Sequence, residues 1–259
     1  MKKIRARDLG IPFEGTPGAF NAITDVPGIT VGYSTIIEET DARTGVTIIH
    51  PRGMDNPIPV FAGVHSFNGN GEMTGAAWVD EGGILEGPIG LTNTHSVGIV
   101  HHSIIKWQVE HHKLTQSWLT PLVAETADAW LNNMNGFFVK EHHALEAINS
   151  AKSGAIDEGN VGGGTGMLCY EFKGGTGTSS RKLPEKLGGW TIGALAQCNF
   201  GRRYQLNIAG VPIGSHLKDD APATNGENPF KQDDGSLIVI IATDAPLMPH
   251  QLKRVAKRV

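Results

Sequence analysis

Cysteine is almost missing from this chain: its 259 residues include only Cys169 and Cys198. Two thiols in so long a chain exclude a disulfide-stapled scaffold and fit a reducing compartment, so the cytoplasm is the expected location. Aromatic residues make up only 7% of the sequence, which limits the large rings that a core can draw on. Long apolar runs are also absent, the longest having the length of a strand, far below the ~18–20 residues of a membrane span. The start of the chain carries Lys2, Lys3, Arg5 and Arg7, but Asp8 and Gly10 follow where a signal peptide needs an apolar stretch of ~7–15 residues. The formal net charge of -4 leaves no electrostatic reason to bind nucleic acid or an anionic membrane. Small neutral or cationic partners fit better.

Glycine and histidine are plentiful. Gly accounts for 34 residues, about twice the usual ~7%, so tight turns and close backbone approaches join the elements. The Gly-rich runs at 162–166 and 174–177 lack Gly-x-Gly-x-x-Gly and any Gly-Lys-Ser/Thr ending, which argues against nucleotide binding and for tight backbone near a cleft. The eleven His residues include the pairs His101-His102, His111-His112 and His142-His143. None forms His-Glu-x-x-His, and neighbours in such a pair point apart on a helix, so no metal is expected.

The length suits one compact domain over 1–259. Short β-type runs at 29–33 and 46–49 alternate with turn signals such as Val26-Pro27-Gly28 and Asp41-Ala42-Arg43-Thr44-Gly45, predicting antiparallel strands. Residues 59–64 and 89–94 read as further strands around the polar loop Asn68-Gly69-Asn70-Gly71, a candidate rim element. The period then changes. A helix fits 96–113. Pro121 suits a first helical turn, and Leu122, Val123, Ala127, Trp130, Leu131 and Met134 share one helical face until Asn135-Gly136, predicting a second helix. A third covers 140–151. Residues 167–172, 190–198, 205–211 and 237–242 are strand-like, 218–234 reads as an exposed polar loop, and a basic helix follows from 247. Strands, then helices, then strands predict an α+β layered sandwich.

Six apolar residues run unbroken from 237 to 242, between Gly235-Ser236 and Asp244-Ala245-Pro246, which reads as a strand buried on both faces. Ser236 opens it. A hydroxyl at the tip of a rigid strand is well held for nucleophilic chemistry, and Gly235 leaves its carbonyl open to close approach. Asp234-Gly235 is also a hairpin signal, so the pattern alone equally allows a plain turn. Asn199 ends the 190–198 run and reads as a turn residue. Cys198 beside it lacks a preceding His or basic residue, so a buried strand thiol fits better than a nucleophile. On the predicted second helix Glu125 lies opposite the Leu122/Val123/Trp130 face, where a solvated Glu would.

The stretch Asp-Gly-Ser-Leu-Ile-Val-Ile-Ile-Ala-Thr-Asp-Ala-Pro-Leu at 234–247 resembles the junction of the L-aminopeptidase D-alanyl-esterase and β-peptidyl aminopeptidase family. Arg-Ala-Arg-Asp-Leu-Gly-Ile at 5–11, Asn-Ala-Ile-Thr-Asp-Val-Pro-Gly at 21–28, Arg-Thr-Gly-Val-Thr at 43–47, Gly-Asn-Val-Gly-Gly-Gly-Thr-Gly-Met at 159–167 and Gly-Gly-Thr-Gly-Thr-Ser-Ser-Arg at 174–181 agree, in the same order. The resemblance implies an αββα sandwich of the N-terminal-nucleophile kind. It also implies a hydrolase that cuts itself between Gly235 and Ser236, leaving 1–235 as a first subunit and 236–259 as the start of a second.

Ser236 is then the nucleophile and, through a free α-amine of pKa ~7.7–8, its own base. By the same resemblance Asn199 supplies an oxyanion donor and Glu125 holds the substrate's free amino group, an anion being what an ammonium needs. The implied partner is a small peptide, amide or ester with a free amino end, the implied assembly a homo-oligomer, and no metal or organic cofactor is involved. Transfer of the acyl group to an amine is an alternative fate of the same intermediate. The family also relies on a hydroxyl residue and a Glu beyond the nucleophile strand. The machinery is therefore expected to continue past Val259, with the 259-residue chain alone inactive or nearly so and poorly stable, a noncatalytic remnant being the alternative reading.

Overall fold

In the computed structural model, which describes residues 4–111, 116–217 and 235–259, the first elements are two long antiparallel strands. β1 (Thr30–Glu38) and β2 (Ala42–His50) pair without interruption from Thr30 opposite His50 to Glu38 opposite Ala42. Residues 42–45, expected within a turn, already belong to β2, because Ala42 and Thr44 are drawn into the core and the reversal is made by Glu39 at φ 41°. The short strand β3 (Val60–Phe61), helix α1 (Ala76–Gly82) and strand β4 (Ile84–Leu85) follow. Strand β5 (Ile89–Asn93) joins β2 antiparallel, helix α2 (Val97–His111) crosses over, and β6 (Leu122–Thr126) returns parallel to β5.

The second predicted helix is thus a strand followed by turns. All five residues of β6 are buried, since α2 covers one side of the sheet and a second sheet covers the other. A continuous buried run has no alternation, so its periodicity does not separate strand from helix. Trp130, expected on the apolar stripe, is 41% exposed beyond the end of β6.

Helix α3 (Glu141–Asn149) lies beside α2, joined to it by Lys106 Nζ and Glu141 Oε1 at 2.5 Å. Together they cover one face of the sheet ordered β1-β2-β5-β6, with Val100, Ile104, Trp107, Ala144 and Ile148 packed on Val46, Ile48 and Val123. A small hairpin, β7 (Leu168–Cys169) and β8 (Phe172–Lys173), leads to β9 (Thr176–Lys182) and β10 (Thr191–Asn199). After the short helix α4 (Ile213–His216) come β11 (Ser236–Thr243) and the basic helix α5 (Pro249–Ala256).

β9, β10 and β11 form a second antiparallel sheet with β10 in the middle. Its inner face, through Leu195, Ile238 and Ile240, packs on Ile49, Leu91, Leu122 and Ala124 of the first sheet. Helices, sheet and sheet are stacked in the order of an α+β sandwich. Between the sheets sits the turn Gly162–Gly164: Gly163 N donates to Thr47 Oγ1 at 3.0 Å, and a side chain there would collide with Gln197 and the Leu91 carbonyl. Only a glycine lets the sheets approach this closely.

Two further expectations change. Residues 205–211 form no strand but a turn, with one bridge from Ile208 to Val211, because Ala209 (φ 50°) and Gly210 (φ 84°) reverse the chain. β11 is not buried on both faces: it is an edge strand with no fully buried residue, and Leu237 is 43% exposed. The polar segment 218–234 lies outside the described residues.

Candidate active site

The sheet register builds the site. Asn199, the last residue of β10, stands directly opposite Ser236, the first residue of β11. Ser236 Oγ accepts hydrogen bonds from Asn199 Nδ2 at 3.2 Å and from the backbone N–H of Ala127 at 3.3 Å. Asn199 is buried and has little freedom to turn. Its Oδ1 accepts from Leu168 N at 3.1 Å, and its Nδ2 also donates to Ala127 O at 2.8 Å. A backbone donor on one end and a backbone acceptor on the other fix which way the amide faces. Gly235 precedes the hydroxyl, and a Cβ on it would lie 2.8 Å from Phe200 Cβ.

Ala127 follows β6, two residues after Glu125. In extended chain such residues share one side and lie about 6–7 Å apart. The solvated helical position expected for Glu125 is replaced by a strand position with only 5% exposure. Glu125 Oε1 accepts from Glu72 N at 3.1 Å, and Oε2 accepts from the Thr94 hydroxyl. The polar loop expected as a rim does reach this carboxylate, since a Cβ on Gly71 would lie 2.9 Å from Oε1. Among the described ion pairs none includes Glu125. A buried carboxylate held by hydrogen bonds, with no ion pair among the described residues, suits an ammonium group.

The supporting shell is polar and enclosed. Gln197 Nε2 donates to Thr92 O at 3.0 Å and Thr126 Oγ1 at 2.8 Å, tying β10 to β5 and β6. Asp128, fully buried, accepts from Asn132 Nδ2 at 2.9 Å, and Asn132 Oδ1 accepts from Arg43 N at 3.1 Å. Burial pushes the Asp128 carboxyl above the usual carboxylate range, more than the Thr44, Asn132 and Asn93 side chains around it lower it. These contacts hold the chain on both sides of the Ala127 peptide.

Ser236, Asn199 and Gly235 are therefore brought together, while Glu125 lies on β6 two residues before Ala127. Ala127 and Thr94 escape sequence reasoning: a backbone N–H belongs to every residue type, and a lone Thr after a strand carries no signal. Among the described residues no group of three or more His, Cys, Asp and Glu is gathered as metal ligands would be. Among them, too, no helix is long and apolar enough to cross a membrane. A shallow cavity of about 430 Å³ lies between α1 and α5, lined by Asp80, Glu81, His250 and Lys253 among others, and is separate from Ser236.

Residues 21–259 match the model of peptidase family S58. The chain is 50% identical over 270 residues to the β-peptidyl aminopeptidase BapA of Sphingosinicella microcystinivorans, an alignment covering 98% of this chain and 68% of that protein. Among solved structures it is similar to a β-aminopeptidase of Burkholderia sp. (TM-score 0.90, 50% identity, covering 98% of this chain and 70% of that one). It is equally similar to the L-aminopeptidase D-Ala-esterase/amidase of Ochrobactrum anthropi, described as a prototype for the serine aminopeptidases and a variant of the Ntn hydrolase fold (TM-score 0.91, 50% identity, 99% and 72%). With the match spanning nearly all of its length and both sheets, this chain belongs to peptidase family S58 and is an aminopeptidase of the Ntn hydrolase fold.

Proposed function

We propose that this aminopeptidase works through Ser236, made N-terminal by cleavage of the Gly235–Ser236 bond. The observation that carries the reading is the convergence of Asn199 Nδ2 and Ala127 N on Ser236 Oγ. In self-processing, Ser236 Oγ attacks the Gly235 carbonyl carbon. The C–N bond breaks as the acyl group moves to oxygen, and water then hydrolyses the ester. Residues 1–235 form one subunit, and Ser236 opens the next with a free amine. That amine, with a pKa of ~7.7–8, takes the hydroxyl proton near neutral pH.

A substrate's ammonium binds Glu125 and presents the neighbouring carbonyl to Ser236 Oγ. The oxyanion formed on attack accepts from the Asn199 amide and the Ala127 N–H, donors already fixed by the fold. The leaving group departs, and water releases the acyl residue. The substrate class is a small peptide, amide or ester with a free amino end. The relatives' names favour a β-amino acid or an L-residue at that end. A cytoplasmic homo-oligomer, which light scattering would size, completes the proposal.

Intact mass of the product of the complete reading frame tests it. Two chains parted between Gly235 and Ser236 are expected, and a single uncut chain from Ser236→Ala. An enzyme that hydrolyses alanine p-nitroanilide while remaining one uncut chain would overturn the mechanism. For Glu125, the parent is expected to cleave free-amine substrates and spare their N-acetyl forms. Equal hydrolysis of both would remove its assigned role.

A further inference from the structure

The end of β10 is gripped by the hairpin of β7 and β8 and by the chain that leaves it. Cys198 N donates to Gly175 O at 2.8 Å, Asn199 Oδ1 accepts from Leu168 N at 3.1 Å, and Phe200 O accepts from Tyr170 N at 2.8 Å. Three successive residues are tied. The Leu168 bond bears on chemistry, because it occupies the amide oxygen of Asn199 and so turns Nδ2 toward Ser236 Oγ.

The turn of that hairpin is one its own residues resist. Strands Leu168–Cys169 and Phe172–Lys173 are joined by two residues alone, Tyr170 at φ 52° and Glu171 at φ 63°. Positive φ at both places suits Asn-Gly, whereas a side chain with a Cβ and no local hydrogen bond is strained there. Arg203 holds the turn from outside. Its side chain is buried, and its guanidinium donates from Nε to Tyr170 O at 3.1 Å and from Nη2 to Glu171 O at 3.0 Å while lying 3.5 Å over the centre of the Phe172 ring. The backbone beneath it is packed on α4, where a Cβ on Gly214 would fall 1.6 Å from Arg203 O.

Taking the oxyanion role proposed for Asn199 as given, we infer that Arg203 is a positioning residue for the hydrolysis: it clamps the Tyr170-Glu171 turn and thereby holds the hairpin whose Leu168 N–H aims the Asn199 amide at Ser236. A planar fork serves two neighbouring carbonyls and lies flat on a ring, which the single ammonium of a lysine does not. Arg203→Lys and Arg203→Met, made in the product of the complete reading frame, are each compared alone and with Glu171→Gly. Glycine accepts positive φ without strain, so it removes the need for a clamp.

Per cleaved chain, each Arg203 variant is expected to lose about tenfold to a hundredfold in kcat with KM little changed, the effect of a misplaced donor rather than a missing one. Glu171→Gly alone should match the parent, and in the Arg203 variants it should recover most of the loss. An Arg203→Met chain that does not fold by itself should fold once Glu171→Gly is added. In an Asn199→Ala background Arg203→Lys should cost little more, because the donor it sets is gone. No recovery with Glu171→Gly, or losses that simply add in the Asn199→Ala background, would overturn the inference. Hydrogen exchange at the Leu168 and Tyr170 amides reads the clamp without activity: faster exchange in Arg203→Lys is expected, and unchanged exchange sinks the clamp even where kcat falls. Full activity of Asn199→Ala is a different failure, that of the role given to Asn199 itself.

Discussion

The two sheets share one core but are enclosed to different degrees. The first is covered by α2 and α3 on one face and by the second sheet on the other, so that every residue of β5 and β6 is buried. The second has only its inner face enclosed. β10 alternates buried residues with more open ones, and β11, at the edge, has no fully buried residue. Ser236 stands at the tip of that open strand, while its two donors come from the ends of β10 and β6. The attack proposed for Ser236 needs donors that stay fixed. The burial of Asn199 and of every residue of β6 meets that need.

Paired truncations give the largest expected contrast. Leu195, fully buried between the sheets, should lose ~2–5 kcal/mol on change to Ala. Leu237, on the outer face of β11 and 43% exposed, should lose under ~1 kcal/mol on the same change. Urea midpoints at unchanged slope decide this, and equal losses would mean that β11 is as enclosed as β10.

Removing a fixed donor comes next. Asn199→Ala should reduce kcat by ~10²–10³ with KM little changed, the size of a lost oxyanion donor. A loss carried by KM instead would make Asn199 a binding group. A melting curve close to the parent's separates either result from unfolding.

The same contrast explains what could be read from the sequence. The 234–247 junction, the antiparallel pairing of β1 and β2 and the helices α2, α3 and α5 were legible, because turn signals, apolar period and motif order are local signals, whereas Asn199 read as a turn residue and gained a role only through the resemblance. β6 was not legible. Its residues Leu122 to Thr126 are buried on both faces by elements distant in sequence, so their apolar run matched a helical stripe and put Glu125 on the wrong side. The apolar run 237–242 is less enclosed than its composition predicted, because among the described residues β11 has a strand on one side only. Ala127 was invisible because its contribution is a backbone N–H, placed by the turn that Asp128 and Asn132 close.

The smallest expected effect concerns that turn, where enclosure acts on a charge. Asp128 is fully buried, its carboxyl accepts from Asn132 Nδ2 at 2.9 Å, and burial is the main cause of its raised pKa. An unfolded Asp titrates near ~3.9. Because the folded value is higher, the folded state holds this proton more tightly. The contribution to stability is complete below ~3.9 and is lost as pH rises through the folded value, the reverse of an ion-paired Asp. Asp128→Asn keeps the shape and the oxygen that Asn132 donates to, and removes the titration. Urea unfolding at steps from pH 4 to pH 8 should therefore show the parent losing stability relative to the variant as pH rises, with the two equal or the variant ahead near neutrality. A difference that does not change with pH would mean that Asp128 titrates as a solvated carboxyl, and that the enclosure of the first sheet stops short of the turn presenting Ala127.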